Sequence, residues 1–90
     1  MDEILVSRAR LNQTSIDFLK VDVQTALTFC DIAESENLRK RLRNRRNARQ
    51  GYETILRLMD NVTLTEDDAQ YLAENLEKLR VRLVNLGEFL

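Results

Sequence analysis

The sequence predicts an all-α protein, an up-down-up bundle of three helices forming a single domain over residues 1–90. Three observations carry that expectation. The 90 residues include no proline and two glycines, Gly51 and Gly87, so little in the chain breaks a helix or builds a hairpin turn. Apolar residues recur at alternating spacings of three and four in three separate segments. The connections near residues 34–36 and 60–65 are short, which turns consecutive helices antiparallel. With 43% apolar residues, a chain of this length buries about 60% of its unfolded surface, enough for one core.

The first helix is expected over about 14–34. It carries Ile16, Leu19, Val23, Ala26, Cys30 and Ala33 on one face, and Phe18, Val21, Phe29 and Ile32 on a second. Two apolar stripes predict neighbours on two sides and make this the central helix. Thr14 or Ser15 is placed to cap it, with Asp17 near the positive end of its dipole. Nothing between Asp2 and Asn12 breaks a helix, so the N-terminal segment either extends this helix or forms a separate turn.

The second helix is expected over about 36–60, with Ser35 as its N-cap and Asp60 to Thr63 as its exit. Its second half has an apolar side in Ala48, Tyr52, Ile55, Leu56 and Met59, while its first half offers Leu38 and Leu42. The third, over about 65–86, has the strongest start signal. Thr65 caps it, Glu66, Asp67 and Asp68 fill its first turn, and Leu64 is placed as a hydrophobic staple. Ala69, Leu72, Leu76, Leu79, Leu83 and Leu86 follow as a heptad seam, and Gly87 is a natural C′ residue. That leucine seam, the two stripes of helix 1 and the apolar tail Phe89 and Leu90 together suggest a homodimer that completes a larger bundle.

Fourteen Lys and Arg stand against fifteen Asp and Glu, a net charge of −1. An anion-binding role therefore needs local segregation of charge, and the stretch LRKRLRNRRNARQGYE supplies it. At about 100° per residue, Arg39, Arg43, Arg46 and Arg57 project outward with Lys40 and Asn47 flanking. Arg41, Arg45 and Arg49 turn towards the bundle and need carboxylates or a route to water. Asp31, Glu34 and Glu36 at the end of helix 1 are expected to pair with them, together with Glu88 and the chain-terminal carboxylate. The absence of acids between Glu36 and Glu53 favours a polyanion. No helix-turn-helix spacing, glycine-rich loop or zinc ligand set accompanies the run.

Without histidine, and with the single Cys30 on the core face of helix 1, the chain has no neutral-pH imidazole base and no Cys/His metal set. The carboxylates Glu66, Asp67 and Asp68 point in different directions from a helix start and read as capping rather than as a cation cage. No catalytic residue, metal ligand or cofactor is expected. The N-terminal MDEILVSRAR lacks a signal-peptide core, and no stretch approaches the roughly 20 apolar residues that span a bilayer. A cytoplasmic protein is expected, with no membrane partner. Tyr52 and Tyr71 read as packing residues with hydroxyls at the rim, and Tyr52 beside Gly51 as a candidate groove.

The stretch ARQGYETILRLMD resembles the second helix of a tetratricopeptide-type hairpin, through the order Ala48, Tyr52, Ile55 within residues 48–60. The preceding helix lacks that family's Trp-Leu-Gly-Tyr pattern, Asp60 stands where its proline would close the repeat, and no second repeat follows. The resemblance implies a helical-hairpin interaction scaffold and carries over no site residues. The expected function is a small non-catalytic protein-interaction or scaffold module. Its expected contact residues are Arg39, Arg43, Arg46 and Arg57, and nucleic-acid or polyanion binding through the same face is the alternative.

Overall fold

A computed structural model of the chain describes residues 3–35 and 37–90, and the side chains of residues 8–34 and 37–90. Its elements are α1 (Glu3–Ser35), α2 (Leu38–Met59) and α3 (Glu66–Asn85), an all-α three-helix bundle as expected. The residues between 3 and 13 extend α1, which settles the open alternative. At about 1.5 Å per residue, its 33 residues account for most of the molecule's 55 Å long axis. The first turns of α1 run beyond the bundle, and the first buried one among its described side chains is Ile16. Where α1 enters the bundle, Asn12 is joined to the α2–α3 connection by two hydrogen bonds. Its Nδ2 donates to the Thr63 carbonyl at 2.9 Å, and its Oδ1 accepts from the Thr63 N–H at 2.7 Å.

α1 is the central element, packing on both α2 and α3, which touch each other least. Both neighbours share the arc around its first stripe, however. Ile16, Leu19, Val23, Ala26, Cys30 and Ala33 are all buried, whereas Phe18 and Val21 of the second stripe remain exposed and Phe29 is only half-buried. α1 therefore meets two neighbours as expected, but mainly through its first stripe rather than through both. α2 seats Ala48, Gly51 and Ile55 against α1, and a Cβ at Gly51 would lie 3.2 Å from the Ala26 Cβ. Small residues at this crossing let the two backbones approach closely. α3 contributes the leucine seam, with Leu72, Leu76, Leu79 and Leu83 buried and Leu86 packed at its edge.

Polar links fix the register between α1 and α3. Buried Asn75 donates to the Tyr71 carbonyl at 2.8 Å and accepts from Gln24 Nε2 at 3.0 Å, and the same amide donates to the Tyr71 hydroxyl. Lys20 Nζ meets Asp68 at 2.5 Å and lies 5.3 Å from the centre of the Tyr71 ring. Tyr71 is thus a rim residue whose hydroxyl is used. Thr65 caps α3 as expected, its Oγ1 accepting from the Asp68 N–H at 3.1 Å.

The Lys20 ammonium, and after it the Thr65 hydroxyl, hold the Asp68 carboxyl below its ordinary 3.8. A carboxyl whose folded-state pKa is depressed adds stability above the unfolded value, and that stability is lost as pH falls through the folded one. Asp68→Asn is accordingly expected to narrow the stability difference between pH 7 and pH 3, read from denaturant midpoints at each pH. An unchanged difference would show that the pair contributes nothing.

The N-cap of α2 is Asn37 rather than Ser35, its Oδ1 accepting from the Lys40 N–H at 3.2 Å. α1 runs through Ser35, so the cap falls to Asn37, two residues later. Cys30 is fully buried, and burial pushes its thiol up to about 11. The folded chain is expected to react negligibly with a disulfide reagent at pH 8 and with one equivalent after unfolding in guanidinium; fast reaction of the folded form would contradict this packing.

Candidate anion-binding face of the second helix

Arg39, Arg43, Arg46 and Arg57 are all exposed on the side of α2 opposite its buried residues, Asn44, Ala48 and Ile55. Arg39 and Arg57 share one azimuth about five turns apart, with Arg46 between them and Arg43 beside it. Among the described residues these four make no ion pair, and the exposed Leu38 and Leu42 border the stripe. Asn47 is half-buried and lines the groove between α1 and α2, alongside Gly51 and Phe29. The groove expected at Gly51 therefore exists on that side, and Tyr52 does not line it.

The inward set does different work. Arg45 donates from Nη1 to the Leu86 carbonyl at 2.8 Å and lies 3.7 Å from Glu88, which Arg49 meets at 3.5 Å. Arg49 also donates to Glu53 at 2.9 Å, and that bond, with the nearby carboxylates, raises its guanidinium above its ordinary range. The acceptor at Leu86 exists because α3 ends in a Schellman turn. Gly87 adopts φ +105, the Glu88 N–H returns to the Leu83 carbonyl, and the Gly87 N–H to that of Val84. Arg45 thus places a cation on the negative end of α3. Arg41 remains exposed where α3 has already ended, and among the described residues no carboxylate meets it.

The expected pairing of the inward arginines with Asp31 and Glu34 needs correction. Arg82 of α3 holds both, at 2.6 Å and 3.0 Å. α3 runs parallel to α1, so the last turns of the two helices lie side by side and Arg82 reaches the acids at the end of α1. Glu36 lies outside the described residues. Burial acts to lower the Arg82 pKa, but the hydrogen bonds to Asp31 and Glu34 together with the charges of those carboxylates raise it above its ordinary value. Sequence reasoning missed Arg82 and the Leu86 carbonyl as partners, though Gly87 as a C′ residue already signalled exposed carbonyls at that end.

Compared with protein-family models, curated proteins and solved structures, the chain matches none. Any reading of the α2 face therefore rests on its own geometry. No group of three or more His, Cys, Asp and Glu among the described residues is placed to hold a metal ion. Among the described residues no helix is long and apolar enough to cross a membrane. What the face offers is an array of guanidinium groups on a rigid helix, suited to carboxylate or phosphate oxygens.

Proposed function

We propose that the chain is a small protein-interaction or scaffold module without catalytic chemistry, which takes an acidic or phosphate-bearing protein partner on Arg39, Arg43, Arg46 and Arg57. One observation carries the reading: these four are exposed and lack ion pairs among the described residues, whereas Arg45, Arg49, Arg80 and Arg82 are each held by a carboxylate. The likeness of residues 48–60 to a tetratricopeptide-type hairpin helix points the same way. The proposal includes a reducing, cytoplasmic setting, in keeping with one unpaired and buried Cys30.

Nucleic acid is the second reading, favoured by the lack of any acid between Glu36 and Glu53. The two are separated by fluorescence anisotropy with an acidic peptide and with duplex DNA or RNA over a salt series. A phosphate backbone gives a steep log-log salt slope set by the contacts made. Arg43→Glu and Arg46→Glu are each expected to weaken the bound class about tenfold, about 1.4 kcal/mol, without loss of helical circular dichroism. Binding that survives both reversals rules out the stripe.

A further inference from the structure

Leu11, Phe18 and Val21 share the outer face of α1 and are 68%, 64% and 61% exposed. Phe18 also lines a cleft with Leu58, Val62 and Asp22, which widens the strip towards α2. Single exposed apolar residues need no explanation, but several large ones on one helix face with charge along both edges mark an interaction surface. Four charged residues rim this one. At about 100° per residue, Arg8 and Asp22 fall along its edge nearer α2, and Arg10 and Asp17 along the opposite edge. Arg8, Arg10 and Asp22 make no ion pair among the described residues, and Asp17 accepts a hydrogen bond from the neutral amide of Gln13.

We propose that a second copy of the chain covers this strip, its α1 packed antiparallel on the first, with Leu11 of each protomer opposite Phe18 of the partner subunit. The charges select that arrangement. In an antiparallel pair of helices like edges meet, so Arg8 shares an edge with Asp22 of the partner subunit, and Arg10 with Asp17 of the partner subunit. In the register that faces Leu11 with Phe18, Arg8 lies one position from facing Asp22 and Arg10 two positions from facing Asp17. At about 1.5 Å per residue, both offsets are within an arginine's reach. A parallel pair brings opposite edges together at equal heights, which sets Arg8 against Arg10 and Asp17 against Asp22, like charges in both cases.

The antiparallel contact is self-complementary and closes at two copies. It also lays the first turns of each α1, which extend beyond their own bundle, along the cleft beside Leu58 of the partner subunit. The arginine stripe of α2 is not part of this surface, so dimerisation stands or falls separately from anion binding.

Sedimentation equilibrium of the full chain at tens of micromolar is expected to give twice the 10.6 kDa of one chain. Phe18→Glu, at an exposed position, is expected to give the single-chain mass with unchanged helical circular dichroism. Arg8→Asp combined with Arg10→Asp is expected to weaken the dimer at least tenfold, and adding Asp17→Arg and Asp22→Arg to restore it. Orientation is read by oxidation, with buried Cys30 outside the reaction: a mixture of Leu11→Cys and Phe18→Cys chains forms a mixed disulfide, and Leu11→Cys alone does not. A monomeric wild-type chain overturns the proposal, whether or not it binds some other protein. So does a dimer that persists in Phe18→Glu, one the charge swap does not restore, or one that crosslinks through Leu11→Cys alone.

Discussion

Leu79→Ala is expected to destabilise the protein by about 2–5 kcal/mol, out of a total of about 5–15 kcal/mol for a domain of this kind. Leu79 is fully buried in the middle of the α3 seam, between Leu76 and Leu83 and within the same cluster as Val23, Ala26 and Ile55. Truncation removes its transfer free energy and leaves a cavity that three long helices, pinned by Asn12, Asn75 and Arg82, have little freedom to close. Val81→Ala is the control, because Val81 is 42% exposed on the same helix and its loss should cost well under about 1 kcal/mol. The comparison is made by urea denaturation with the slope unchanged, so that the midpoint reports stability alone. Equal losses for the two variants would mean that the seam is not the core.

The seam was legible because its period is regular and its cap, Thr65 with Leu64, is local. Periodicity in α1 was equally legible, but it reports which residues share a face and not what covers that face. Phe18 and Val21 read as a second packing surface, and within one chain both remain largely exposed. The arginine run divided by azimuth into Arg39, Arg43 and Arg46 outward and Arg45 and Arg49 inward, whereas Arg41, also expected inward, stays exposed. The acids that answer the inward set did not follow, because consecutive-helix reasoning pairs α1 with α2 and overlooks the parallel α1 and α3. Arg82 takes Asp31 and Glu34 through that parallel contact, fifty-one and forty-eight residues away in sequence. Asn12 with Thr63 is a further link of this type: a side chain and a loop backbone brought together only when the bundle closes.

Gly51→Leu is expected to cost at least about 1–3 kcal/mol, against the direction that helix propensity predicts. Gly in a helix interior is about 1 kcal/mol less favourable than Ala, so on local grounds any good helix former should stabilise α2. The crossing with α1 opposes that gain. A Cβ at this position would lie 3.2 Å from the Ala26 Cβ, tight enough that Gly51→Ala should fall near balance between improved propensity and a crowded contact. Leu adds a branched side chain to the same point, where relief requires α1 and α2 to separate and Ala48, Ile55 and Cys30 to lose packing. The same seat sets the rotation of α2 about its axis, and with it the outward direction of Arg39, Arg43 and Arg46. Ala26→Gly should therefore recover part of the loss in Gly51→Leu, giving a coupling in a double-mutant cycle that distant sites would lack. Additive effects, or a gain in stability for both Ala and Leu at position 51, would show that the two helices do not meet there.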